Sequence, residues 1–216
     1  MIKNLIYKEL KLSVQPWMYV FLAAAFMLLF PAWVFVVPMA FIFLVFMFII
    51  RSDKANQDLA FVPILPIPKK DAVTARTATL VIVELAALVV AIPVAVARFF
   101  IYHEDNTAGM NVNLAFFGFL LLMYTVFNAV YLYGAYQRPY RMLWPILGGS
   151  ILAVFTGVML TSAVVYVPTR AMLFNDRGLG NIGGQLIVFF FGAILYAVTT
   201  YAAYRKAVTD IAKLDL

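Results

Sequence analysis

The sequence predicts an all-α polytopic membrane protein with six transmembrane helices, an N-terminal interfacial amphipathic helix and both termini in the cytoplasm. Three observations predict it. Of the residues, 65% are hydrophobic and 12% charged, where soluble domains run at about 45–50% and about 25%. Residues 16–50 contain no Asp, Glu, Lys, Arg or His. As helix that run is about 52 Å long, too much for one crossing of a hydrocarbon core of about 30 Å and right for two short ones. Finally, with the apolar runs taken as crossings, 13 of the 16 Lys and Arg fall on the side of the termini. Cytoplasmic loops carry that bias.

Each element follows in order. In "MIKNLIYKELKLSV", Ile2, Leu5, Ile6, Leu10 and Val14 recur at helical spacing, with Lys3, Lys8 and Lys11 largely off that stripe. Residues 1–15 therefore read as a helix lying in the cytoplasmic interface, each Lys gaining about 1 kcal/mol beside anionic lipid. A charged flank before the first span is the alternative. These charges also break any signal-peptide pattern. The first span runs from Pro16 to about Phe30 and the second from about Met39 to Ile50. Pro31 and Pro38 bracket the tight crossing between them, since proline suits turns and first helical positions. Trp17 and Trp33 sit where aromatic belts sit.

A polar island over residues 51–76 follows. The third span covers about 78–100, with Glu84 inside it, Pro93 interrupting it and Arg98 near its end. "YHEDNTAGMN" is a short polar connection. The fourth span covers 112–137, "QRPYR" is a basic turn, and the fifth span covers 142–167. "PTRAMLFNDRGLGNIGG" is the longest connection on the far side, the sixth span covers 185–204, and "RKAVTDIAKLDL" is a short tail. The chain reads as one transmembrane domain over 1–216.

The net charge of +6 is explained by topology, so nucleic acid is not an expected partner. With no Cys, thiol catalysis and thiolate metal sites are excluded. Neither a zinc helix H-E-x-x-H nor a Walker motif G-x-x-x-x-G-K-[ST] is present, so the chain has no ATPase site of its own and no expected cofactor. His103 beside Glu104 and Asp105 reads as a solvated loop before it reads as a metal site. Glu84 is the informative buried charge, because an acid within a span costs about 2.5–3.5 kcal/mol on insertion scales. It serves a proton relay or substrate contact, or else a structural hydrogen bond to a neighbouring helix or a snorkelling contact. Asn128, Thr161 and Ser162 read as helix-packing hydrogen bonds, and Gly148, Gly149, Gly157 and Gly192 as close-approach positions in a bundle or a dimer face.

Within the island, "VPILPIP" is held extended, because each proline disfavours helix in the residue before it. Pro68 then opens a helix at its first position with Asp71 in the first turn. The apolar "ILPI" is thus presented at the membrane surface beside two lysines. "LPIPKKDAVTAR", the amphipathic start with "YKELKL", the six spans and the two-proline turn resemble the permeases of type-2 ABC exporters. Among these, the resemblance is nearest to the small permeases of bacterial phenol-soluble-modulin peptide exporters.

That resemblance implies a bacterial plasma-membrane permease, paired with a second permease as homodimer or heterodimer. ATP and Mg would reside on a separate cytoplasmic ATPase subunit. Leu65, Pro66, Ile67, Lys69, Lys70 and Asp71 would form the coupling element, with Arg138 and Arg141 of the "QRPYR" turn as a second contact. Pro68 departs from the Ser or Thr often found there. The alternatives are an ion-coupled secondary transporter using Glu84 and, behind it, a membrane enzyme acting on lipids.

Overall fold

The computed structural model describes residues 2–31, 33–55, 68–137, 142–177 and 181–213. Helix α1 (Ile2–Lys8) continues into a π-helical turn over Glu9–Ser13. A 3₁₀ helix follows over Pro16–Leu29, bent by 81° from the segment before it. At about 2.0 Å per residue, its 14 residues extend about 28 Å, enough to cross the hydrocarbon core where an α-helix of that length would fall short. The bend lays the N-terminal helix nearly perpendicular to this span, as an interfacial helix must lie.

Helices α2 (Val36–Ala40) and α3 (Ile42–Ala55) together form the second span. Pro38 is therefore not in the turn as expected. It occupies the first turn of α2, where its missing N–H has no intrahelical acceptor to lose. The remaining long helices are α4 (Lys69–Ile101), α5 (Leu114–Ala135), α6 (Leu143–Val165) and α8 (Ile182–Ala212), with the short α7 (Pro168–Phe174) before the last. Among the described residues five helices are long and apolar enough to cross a membrane, and the bent N-terminal pair makes a sixth.

Three further expectations are corrected. Pro93 does not interrupt the third span, because α4 runs through it for 33 residues, about 50 Å. The coupling helix is thus not a separate piece but the first turns of the span. The tail after residue 204 is not a loop either, since α8 continues to Ala212. These turns stay helical and packed, with Ala207 and Ile211 buried in the core and Lys206 paired to Asp210 one turn on. The connection over 168–184 contains α7, which opens on a proline at its first position.

Helix α5 is central. Its apolar window is 72% buried, against 22% for α6 and for α8, so lipid-facing surface belongs chiefly to those two. Phe127 anchors an aromatic column, stacked on Phe43 at 4.2 Å and on Tyr131 at 5.6 Å between centroids. The most extensive contact is between α5 and α8. Gly118 and Gly192 meet there, so closely that a Cβ on Gly192 would lie 2.4 Å from the Gly118 carbonyl oxygen. Gly157 is similarly tight against Val36, whereas Gly148 has no close neighbour among the described residues of this chain and does not pack in its bundle.

Candidate functional site

Three polar assemblies interrupt this apolar bundle. The first lies on the face that carries the termini. Arg76, two turns into α4, sets its Nε 3.0 Å from Glu9 and its Nη2 2.6 Å from Asp53. The Asp53 contact is an aligned hydrogen bond, and the Glu9 contact is an ion pair. All three side chains are only 13–15% exposed, so the interaction is less screened than a surface pair. The N-terminal helix, the end of α3 and the start of α4 are thereby clamped together. The Thr74 and Tyr204 hydroxyls, 3.0 Å apart, add the end of α8.

Of the residues expected to couple, Lys69, Lys70 and Asp71 lie in the first turn of α4, ahead of Arg76. Helix α4 begins at Lys69 with Pro68 as its N-cap, one position earlier than expected for the proline. The Pro68 carbonyl accepts from the Asp71 amide at 2.8 Å, and Asp71 favours the positive end of the helix dipole. Lys70 is exposed, and Lys69 and Asp71 are half-buried. Leu65, Pro66 and Ile67, together with Arg138 and Arg141, lie outside the described residues.

The second assembly surrounds Glu84, which is fully buried. The Tyr196 hydroxyl donates to its Oε2 at 2.7 Å and the Asn128 amide donates to the same oxygen at 3.0 Å. Asn128 also donates to Thr200 at 3.1 Å. One carboxyl group therefore joins α4, α5 and α8. Asn128 is a packing contact between helices, as expected, but Thr161 is not. Its hydroxyl donates to the Gly157 and Val158 carbonyls of its own helix.

The physical consequence for Glu84 is testable. Gln at this position keeps an oxygen for Tyr196 and Asn128, and its amide can donate to Asn128 Oδ1, which has no hydrogen-bond partner. Glu84→Gln should stay within about 1 kcal/mol of the parent and keep its activity, whereas Glu84→Leu strands two buried donors at a cost of about 1–3 kcal/mol. Thermal unfolding in detergent checks the stabilities. Transport lost in Glu84→Gln at unchanged stability would show that the acid itself is required.

The third assembly is at the opposite face and was not visible from composition. Asn111 takes Asn175 Oδ1 on its backbone N–H at 2.7 Å, and its amide donates to the Asn175 carbonyl and to Asp105. Asn113 caps α5 by accepting from the Phe116 amide at 3.0 Å, and its own amide donates to the Phe174 and Asp176 carbonyls. Asn106 reaches the Trp33 carbonyl at 3.0 Å. Three connections are thus laced together by asparagine. The available signal was Asn113 ahead of an apolar run, an N-cap pattern.

Close to it, Arg98 is 5% exposed and donates to the Leu28 and Leu29 carbonyls. Those are the last carbonyls of the 3₁₀ span, left without intrahelical donors. Arg98 thus caps the first span, at the helix end where a cation is favoured.

The bundle of apolar spans with this clamped polar face defines an integral membrane protein of the transporter kind. The family model described as ABC-2 family transporter protein matches residues 4–163, and the chain belongs to that family. It is a multi-pass membrane permease component of an ABC-type transporter. No curated protein and no solved structure matches the chain. The matched region takes in the N-terminal helix, residues 51–76, Glu84 and Asn128, and ends before the helix that supplies Tyr196 and Thr200.

Proposed function

We propose that this chain is the membrane permease of an exporter driven by a separate ATPase subunit, with residues 51–76 as the coupling element. The face that carries the termini would be cytoplasmic, two permeases would pair, and the cargo would be amphipathic peptides or other hydrophobic and amphipathic compounds. Family membership supports the class. The observation that carries the mechanism is the continuity of α4, whose first turn holds Lys69, Lys70 and Asp71 and whose last holds Arg98.

A displacement imposed by an ATPase on the first turn has no hinge to dissipate it. It is carried along one helix to Glu84, 15 residues on and about 22 Å away. The Arg76 clamp passes the same displacement to the N-terminal helix and to α3. Apolar Leu65 and Ile67 would fill a pocket on the ATPase, and the neighbouring lysines would orient the docking. Arg138 and Arg141 would supply the second contact. An ion-coupled mechanism finds less support, since Glu84 is the one acid of its cluster and proton routes use several.

The test is co-expression with an ABC ATPase subunit of the same genome. The two should co-purify, and the permease should stimulate hydrolysis in lipid. Leu65→Asp and Ile67→Asp should remove that stimulation while the spans stay folded. Failure to associate would refute the class of partner, and full stimulation in both variants would refute the docking role.

A further inference from the structure

The distal half of α4, the first turns of α5 and the middle of α8 leave an apolar groove between them of about 700 Å³. Leu85, Val89, Ile92, Val96 and Phe99 form its α4 wall, at three- and four-residue spacing along one stripe. That stripe spans about 21 Å. Phe117 and Leu121 of α5 and Phe189 and Ala193 of α8 face it. Its polar groups are already engaged. The Tyr196 hydroxyl at the inner end is given to Glu84, and Asn113 at the other end caps α5 and binds two carbonyls. An occupant must therefore be apolar along its length.

The dimensions narrow the class further. The groove offers about 700 Å³ beside a stripe of about 21 Å, a long apolar channel that an extended acyl chain matches. At its outer end Phe99 also lines a second cavity of about 320 Å³, shared with Phe100, His103 and Arg177. The Arg177 guanidinium stands 6.0 Å from the Phe99 ring centroid and donates to the Tyr102 carbonyl. Of the acids nearby, Asp176 adjoins Arg177 in the chain, Asp105 is held by the Asn111 amide and Glu104 is exposed at the loop surface.

From an apolar groove and a cation-bearing cavity that share the Phe99 wall, we infer that the chain holds a phospholipid of the leaflet opposite its termini. One acyl chain lies along α4 and the phosphate lies at Arg177 and His103. The guanidinium suits the phosphate diester by charge and by geometry. Each methylene removed from the annular lipid into close contact with protein adds packing that an unfilled groove forgoes. This site goes beyond the transport reading and does not depend on an ATPase partner.

The full chain, reconstituted in nanodiscs of phosphatidylcholine, is irradiated with phosphatidylglycerol bearing a diazirine midway along one acyl chain. Adducts should concentrate on the groove residues and fall at least threefold in Ala193→Trp, which fills the groove. Arg177→Gln should abolish the advantage of phosphatidylglycerol over a phosphatidylcholine probe. Val96→Trp, on the opposite wall, replaces Ala193→Trp if that variant leaves the monodisperse fraction. Adducts spread equally over outward residues such as Ile151 and Ile187, or unchanged by either tryptophan, would overturn the site in favour of annular lipid only. The chain has no native cysteine, so disulfide cross-linking of two Ala193→Cys copies through this groove would overturn it in favour of a second copy.

Discussion

Gly192→Ala should be among the most destabilising single-methyl additions in this protein. The new Cβ would lie 2.4 Å from the Gly118 carbonyl oxygen and 3.1–3.2 Å from the Gly118 carbonyl carbon and Cα. All three are backbone atoms, so no rotamer change relieves the clash. A carbon–oxygen contact of about 3.3 Å is the near limit, and α5 and α8 must therefore part by about 1 Å. Overpacking a dense core costs about 1–3 kcal/mol and more where nothing can yield. This contact is at that upper end, because the helix pair it separates is the most extensive in the bundle.

The shift also reaches the polar cluster. Tyr196 lies one turn from Gly192 and holds Glu84 at 2.7 Å, so the same variant should weaken that hydrogen bond. Gly148→Ala is the matched control, since nothing lies within 4 Å of its added Cβ. There the helix gains about 1 kcal/mol of propensity, and the expected change is neutral or favourable. Thermal unfolding in one detergent measures both. Equal behaviour of the two variants would show that the α5–α8 approach is not a constraint.

Arg76→Gln is the second large effect. Its removal leaves Glu9 and Asp53, each 13% exposed on its side chain, without the cation between them. Breaking a buried ion pair on one side costs about 3–5 kcal/mol because a charge stays desolvated, and partial exposure places this variant at about 3. Arg76→Lys should retain part of the stability, since an ammonium cannot repeat the forked contact with two carboxylates. Adding Glu9→Gln to Arg76→Gln should recover some of the loss, a coupling that a double-mutant cycle reads directly. Additive losses would show that Glu9 and Arg76 do not interact. Limited proteolysis should become faster in residues 51–76, which this clamp flanks on both sides.

Sequence and structure agree where the bilayer decides. Charges are costly in hydrocarbon and long apolar runs are therefore unambiguous, so each span was legible, although α4 starts at Lys69 and α8 ends at Ala212, beyond the expected spans. Local chemistry was legible too, since Pro68 and Asp71 mark the start of α4 within one position. Agreement fails where proline was read as a breaker. Pro38 sits in the first turn of α2, where its missing N–H costs no bond, and Pro93 sits inside α4, as membrane helices tolerate proline.

The candidate sites divide in the same way. Glu84 was singled out correctly as a buried acid, yet its partners lie 44 and 112 residues away. Arg76 was counted as one basic residue of a cytoplasmic segment. Its partners, 67 and 23 residues distant, carry no local sign of the pairing. The asparagine clasp looked like ordinary loop polarity, because a hydrogen bond to a backbone carbonyl leaves no complementary residue to find.

By itself, then, the sequence determined that the chain lives in a membrane and roughly where it crosses. Those are one-dimensional properties, set by transfer of short segments into lipid and by backbone preference. Only the tertiary structure decided that α4 is one unbroken helix from Lys69 through Arg98. It also decided that Arg76 and Glu84 each bind three elements together, and that α4, α5 and α8 leave an apolar groove beside a cation-bearing cavity. These depend on which helix faces meet, and meeting is settled by close packing between residues far apart in the chain.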